Sequence, residues 1–66
     1  MTPRQMGQRL KARRKAKGLS RQALAARAGI SRESVRLLEA GRFDPTLGML
    51  TKLARALKMT LPDLVK

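Results

Sequence analysis

Hydrophobic residues recur along this chain at the three- and four-residue spacing of helices that bury one face. Val35 and Leu38 share one such face, and Leu24 and Ala28 share another. The clearest stripe lies in residues 47–57 and is expected to face the core; its members are Leu47, Leu50, Leu53, Ala54 and Leu57. No segment alternates with the period of two that marks a strand. The pattern predicts an all-α protein.

Glycines and small hydroxyl residues mark the ends of these segments. Gly18, Gly29 and Gly41 fall where helices should end, because glycine can close a helix in the left-handed conformation. Each predicted helix follows a hydroxyl residue as its N-cap: Thr2, Ser20, Ser31, Thr46 and Thr60. The predicted helices run from Pro3 or Arg4 to Lys17, Arg21 to Ala28, Arg32 to Ala40, Leu47 to Leu57, and from Thr60 onward with Pro62 in the first turn.

The first predicted helix has a weak inward stripe. Met6 and Leu10 are spaced to face a core, but Arg13, Arg14 and Lys17 then stand where further apolar residues would be expected. Arg14 in particular is predicted to face inward.

Length and composition limit what the chain can be. Its 66 residues suffice for one small domain, residues 1–66, stabilised by helix packing. Because it contains neither cysteine nor histidine, we expect no disulfide and no metal site. No signal peptide is visible, and no apolar run approaches the ~20 residues that span a bilayer, so we expect a cytoplasmic protein without a membrane partner.

The charge of the chain is strongly positive and unevenly distributed. Sixteen Lys and Arg residues against four Asp and Glu give a net charge of +12, and twelve of the sixteen lie in residues 1–42 beside only two acids. A basic excess concentrated in one part of a small fold is typical of proteins that bind a polyanion. General solubility is the alternative explanation, but soluble surfaces usually mix both signs.

The inventory of reactive side chains argues against an enzyme. Histidine, cysteine and tyrosine are absent, and the four acids are Asp44, Asp63, Glu33 and Glu39. The two glutamates are six residues apart in one predicted helix and lie on different faces. Few general acid–base or nucleophilic arrangements can be built from this set, so we expect no catalysis, no cofactor and no small-molecule ligand.

The stretch RAGISRES, residues 27–34, joins two predicted helices by an abrupt corner that contains Gly29. Two short helices joined by such a turn are the helix-turn-helix signature. Ala25 is the small residue where the two helices cross, Ile30 is apolar in the turn, and the motif EAGR precedes a leucine-rich helix. With these features, residues 6–65 closely resemble the Cro and phage-repressor (xenobiotic-response-element) class of DNA-binding domains. Ala23 and Gly48 stand where many members have glutamate, and local fraying is expected there.

This resemblance implies a compact five-helix domain whose helices 2 and 3, about residues 20–40, form the helix-turn-helix. The second helix of such a motif enters the major groove of double-stranded DNA. The residues expected to contact bases there are Arg32, Glu33, Arg36 and Leu37. Glu33 could instead serve as a helix-dipole and i,i+3 partner of Arg36, Arg36 could have a solvated or phosphate-binding role, and Leu37 could contact a dimer partner.

A second set of residues lies at helix starts or in the loop after helix 3, where backbone N–H groups and cations can meet phosphates. Its members are Ser20, Arg21, Arg42 and Thr46; for Ser20 and Thr46, simple capping is the alternative. The resemblance also pairs Arg14 with Glu39 as a structural ion pair. Phe43, the only aromatic residue, is expected to plug the loop against helix 4.

Three functions remain open at this point. The first is a sequence-specific DNA-binding transcriptional regulator, most simply a repressor, that reads a palindromic site as a homodimer. The second is a small antitoxin-type DNA-binding component of a protein complex. The third is a nonspecific polyanion binder, for example of RNA, although stacking on RNA bases usually needs more aromatic residues.

Overall fold

The computed structural model describes all 66 residues and contains five helices and no strand. They are α1 (Pro3–Ala16), α2 (Arg21–Ala28), α3 (Arg32–Glu39), α4 (Leu47–Ala56) and α5 (Leu61–Val65). The all-α prediction is confirmed. The starts of the first four helices agree with the sequence, while α1, α3 and α4 each end one residue earlier than predicted.

Every helix starts at a hydroxyl cap. The side chains of Thr2, Ser20, Ser31, Thr46 and Thr60 each accept a hydrogen bond from the backbone N–H three residues later. In α1 the bond is reciprocal, because the Gln5 side chain accepts from the Thr2 backbone N–H at 2.9 Å. The Ser20 and Thr46 side chains accept their capping hydrogen bonds despite Ala23 and Gly48, and local fraying at the starts of α2 and α4 stays a prediction.

The core lies where all five helices converge. α3 packs on both α1 and α2, α4 packs on α2, and α5 closes the bundle against α1 and α4. The fully buried side chains come from every helix or its flank: Leu10, Leu24, Val35, Leu53, Leu57 and Leu64. Phe43 is partly buried against this core, as the sequence predicted for a loop plug.

The prediction that Leu47 belongs to the core is wrong. Its side chain is 69% exposed, whereas burial increases along α4 through half-buried Leu50 to fully buried Leu53. Periodicity identifies the inward face of a helix but not how far its neighbours extend along that face. Only the first two residues of α4, Leu47 and Gly48, are left exposed at this end, since Met49 and Leu50 already pack against the core.

Gly7 permits the close approach of α1 to the end of α3. A Cβ built on Gly7 would overlap the carbonyl oxygen of Leu38 and would lie 2.8 Å from that of Glu39. Only a residue without a side chain fits, because the obstacle is backbone. The contact fixes the C-terminal end of α3 against α1, beside the ion pair described below.

Candidate DNA interface

The corner between α2 and α3 is built by backbone hydrogen bonds and a left-handed glycine. Gly29 has φ +70°, and its N–H points back to the last turn of α2. The Ile30 N–H donates to the Ala25 carbonyl at 3.1 Å, and Ser31 then caps α3 through the Ser34 N–H at 3.0 Å. Only Gly29 to Ser31 separate the two helices, which places α3 across α2 with one face open to solvent.

The first half of α3 presents its charged side chains to solvent. Arg32, Glu33 and Arg36 are exposed, while Val35 on the opposite face is fully buried. Leu37, expected on the outward side, is partly covered. The structure thus brings three of the four candidate base-contact residues onto one exposed helical surface, with Leu37 at its margin.

Glu33 and Arg36 form a paired unit on this surface. Arg36 donates from Nε to Oε1 of Glu33, and from Nη2 to Oε2 at 3.1 Å. The pKa of Glu33 is held below its usual value because it accepts this hydrogen bond and lies near the positive charges of Arg36 and Arg32. Glu33 is therefore ionised at neutral pH.

A cleft of about 440 Å³ lies beside α3, lined entirely by polar and basic residues. Helix α1 contributes Lys11, Arg14 and Lys15 to this lining. The start of α2 contributes Ser20, Arg21 and Gln22, and α3 contributes Arg32. A neighbouring cleft is lined by Arg21, Arg32, Glu33 and Arg36. Because Arg21 and Arg32 line both clefts, the two form one continuous basic surface.

Sequence reasoning missed three members of this surface: Lys11, Lys15 and Gln22. Lys11 and Lys15 are four residues apart and so share one face of α1, a spacing that was visible in the sequence. What the spacing does not reveal is that this face adjoins the start of α2. The structure also shows that Arg32 lines the cleft formed with α1 and the start of α2, as well as the cleft along the exposed face of α3.

The C-terminal end of α3 carries a buried ionic cluster of Arg14, Glu39 and Arg21. Arg14 donates to Glu39 from Nε at 2.6 Å and from Nη2 at 3.1 Å, and it also donates from Nη1 to the Leu19 carbonyl at 2.7 Å. Arg21 donates from Nε to the same carboxylate at 3.1 Å. The glutamate side chain is only 1% exposed and that of Arg14 only 9%, whereas that of Arg21 is 40% exposed.

Burial raises the pKa of Glu39, but the hydrogen bonds and charges of Arg14 and Arg21 outweigh it, so the pKa lies below its usual value. The carboxylate is thus fully satisfied by two arginines. Arg21 uses its Nε–H in this contact, and its partly exposed side chain also lines both basic clefts. The buried carboxylate of Glu39 therefore restrains Arg21, one of the residues predicted to contact phosphates.

The remaining candidates are separate from this cluster. Arg42 lies exposed in the loop after α3. Thr46 and Ser20 are exposed caps whose hydroxyl oxygens accept from Met49 and Ala23 N–H groups at 3.1 and 3.0 Å.

Neither a metal centre nor a membrane-spanning element is found. No three acidic, histidine or cysteine side chains lie together in an arrangement that could hold a metal ion. No helix is both long enough and apolar enough to cross a bilayer.

Comparison with known proteins gives a consistent result. The helix-turn-helix family model HTH_3 matches residues 10–64. An uncharacterized HTH-type transcriptional regulator of Methanothermobacter thermautotrophicus is 43% identical over 44 residues, which make up 67% of this chain and 64% of that protein. The matched region is thus just under two-thirds of that relative's length.

Solved structures are also similar. The restriction-modification controller protein C.AhdI from Aeromonas hydrophila superposes with a TM-score of 0.92 at 39% identity, over 94% of both chains. An HTH_3 family transcriptional regulator from Vibrio cholerae superposes with a TM-score of 0.92 at 33% identity, over 97% of this chain and 36% of the other. The clp gene regulator ClgR from Corynebacterium glutamicum reaches 0.93 at 25% identity, over 98% of this chain and 69% of the other.

Proposed function

Because the chain belongs to the HTH_3 helix-turn-helix family, and is thus a DNA-binding domain of the transcriptional-regulator class, we propose that it recognises one specific double-stranded sequence and represses transcription from it. The observation that carries this proposal is the exposed, charged half of α3 beside a continuous basic surface. A helix on this scale fits the major groove, and flanking cations can neutralise the phosphates on either side. No catalytic step is part of the proposal.

The proposed division of roles follows from position. Arg32, Glu33, Arg36 and Leu37 make up the groove-facing set, and Ser20, Arg21, Arg42 and Thr46 make up the phosphate set. We add Lys11, Lys15 and Gln22 to the phosphate set because they line the same cleft as Ser20 and Arg21. Since its proposed partner is chromosomal DNA, we expect the protein to act in the cytoplasm at the nucleoid.

We also propose that the chain binds a palindromic site as a homodimer. Residues 1–42 are strongly cationic, so repulsion between two copies is smallest where the less charged residues 43–66 face each other; these carry four basic and two acidic side chains. That part of the surface includes Leu47, the most exposed large hydrophobic side chain. The Cα extent of 24 Å is less than the ~34 Å between half-sites one turn apart, so two copies can lie side by side on one face of the duplex.

The test is selection of duplexes from a random pool, followed by footprinting and by titration of the selected duplex at several salt concentrations. We expect one preferred sequence and an affinity that falls steeply between about 50 and 200 mM salt. Half-sites about one helical turn apart and a 2:1 complex in sedimentation would support the dimer. Equal binding to selected duplex, random duplex and single-stranded RNA would contradict sequence-specific function.

A further inference from the structure

The hydrogen bonds between Glu33 and Arg36 determine which donors and acceptors of the two side chains remain free to contact DNA. A guanidinium carries five N–H donors, one on Nε and two on each terminal nitrogen. Glu33 accepts from Nε and from Nη2, so it occupies the side edge of the guanidinium. Both hydrogens on Nη1 and one on Nη2 stay free, and one Nη1–H together with the free Nη2–H forms the end edge.

This free end edge is the one that suits guanine. A bidentate contact to guanine O6 and N7 requires two parallel N–H donors from a planar group, and Nη1 with Nη2 supplies them. The side edge is already occupied, and the two bonds to Glu33 keep the guanidinium plane from rotating. An arginine held in this way loses less side-chain entropy on binding than a free one.

The same contact turns the carboxylate of Glu33 toward Arg36. Each of its oxygens accepts one hydrogen bond from that guanidinium and keeps only its remaining lone pair for other donors. It is also the only acid in a cleft otherwise lined by Arg21, Arg32 and Arg36. A negative charge there weakens the general attraction for phosphates, so a favourable contribution to DNA binding must come from geometry.

We propose that Glu33 is a positioning residue that holds Arg36 by its side edge and directs the end edge toward a guanine in the major groove. The inference rests on the proposed function and deepens it, because it assigns guanine recognition to Arg36 and removes Glu33 from the set of base readers. The pair stands on the exposed face of α3, with side chains 51% and 62% exposed, so it can act on DNA without supporting the fold.

The test is a double-mutant cycle with Glu33→Gln and Arg36→Ala. The dissociation constant is measured on the selected duplex, on random duplex, and on a selected duplex with 7-deazaguanine at the base pair where Arg36→Ala relaxes specificity. Asp63→Asn is the matched control, since it also replaces an exposed carboxylate by an amide but lies in α5. Thermal unfolding of each variant verifies the fold.

If Glu33 positions Arg36, Glu33→Gln weakens binding to the selected duplex by about tenfold and has little effect on random duplex. The loss disappears when Arg36 is already alanine and when guanine N7 has been removed. Asp63→Asn causes no such loss. These three results together support the assignment.

Three outcomes would overturn it. A tenfold loss that persists in the Arg36→Ala background would mean that Glu33 contacts DNA directly. Tighter binding of Glu33→Gln to both duplexes, as expected for simple removal of a negative charge, would mean that the pair only neutralises Arg36. Equal loss of affinity by Arg36→Ala on selected and random DNA would mean that Arg36 does not read a base. Failure of the proposed function looks different, because the wild-type protein itself would then show no preferred duplex.

Discussion

The two ends of α3 carry the same chemical arrangement in opposite surroundings. At each end a glutamate accepts two hydrogen bonds from the Nε and Nη2 atoms of one arginine. At the N-terminal end, Glu33 and Arg36 are 62% and 51% exposed, whereas at the C-terminal end Glu39 and Arg14 are 1% and 9% exposed. Water screens the first pair and is excluded from the second, so the same bonds have different consequences.

The difference separates binding from stability along a helix of only eight residues. The exposed pair contributes little to folding and remains available to a ligand. The buried cluster supports the fold, since removal of Glu39 leaves the buried charge of Arg14 uncompensated. Arg21 links the two regions, because its Nε atom belongs to the buried cluster while its exposed portion lines the basic surface.

The largest effect is expected from Glu39→Ala. It removes the acceptor shared by Arg14 and Arg21, and loss of one partner from a buried pair typically costs about 3–5 kcal/mol. Urea unfolding followed by circular dichroism measures the change. Combined with Arg14→Ala, the loss should be well below the sum of the two single losses. Additive losses would contradict a direct contact between Arg14 and Glu39. The control is Glu33→Ala at the other end of α3, which should leave the unfolding midpoint nearly unchanged.

Gly7→Ala should come next in size. The new methyl group would meet the carbonyl oxygens of Leu38 and Glu39, and such overpacking typically costs about 1–3 kcal/mol. Gly48→Ala in the first turn of α4 is the matched control, because its nearest neighbour would be Thr46 Oγ1 at 3.9 Å. There the better helix propensity of alanine should raise stability by about 0.5–1 kcal/mol. Equal effects at both sites would argue against the close approach of α1 to α3.

The sequence was sufficient for the features that depend on local chemistry. Hydroxyl caps and left-handed glycines determine where helices begin and end, and the boundaries agree within one residue. The inward cation Arg14 was visible because it interrupts an apolar stripe. Leu47 was predicted wrongly because helical periodicity carries no information about the reach of neighbouring helices.

Features that depend on contacts between helices were harder to predict. The contact of Arg21 with Glu39 joins residues 18 apart in different helices, and nothing in their spacing indicates it. Gly7 offers no side chain to a periodicity argument, although a glycine inside an otherwise strong helix-forming segment is a usable signal of close packing. The residue types and positions of the interface candidates could be predicted from the sequence. Which of them also take part in the buried cluster, as Arg21 does, could be seen only in the structure.

Acid should distinguish the two glutamates. The pKa of Glu39 is lowered in the folded protein, so its contribution to stability is complete above its unfolded pKa of about 4.3 and is lost as the pH falls through the lower folded value. With no histidine in the chain, stability should be flat between about pH 5 and 8. Urea midpoints measured from pH 7 to pH 2.5 test this.

Glu39→Gln should be less stable at neutral pH and should lose less on acidification than the wild type. The pKa of Glu33 is lowered as well, but this side chain is exposed and its ion pair is screened by water, so Glu33→Gln should follow the wild-type curve more closely. A Glu39→Gln curve parallel to that of the wild type would show that the buried carboxylate does not titrate with folding.

Arg21→Gln should have a small effect on folding while changing DNA binding in a way that neither glutamate variant does. Glu39 keeps both bonds from Arg14, and Arg21 is 40% exposed, so the expected cost to stability is on the order of 1 kcal/mol or less. The lost phosphate contact should weaken selected and random duplex alike and reduce the slope of log affinity against log salt by about one unit. Arg55→Gln, an equal charge change at an exposed position of α4, is the control.

Two results would contradict this role for Arg21. If Arg21→Gln lowered affinity only on the selected duplex, Arg21 would belong with the base readers at the N-terminal end of α3. If the variant left the salt slope unchanged, the role of Arg21 would be confined to the buried cluster.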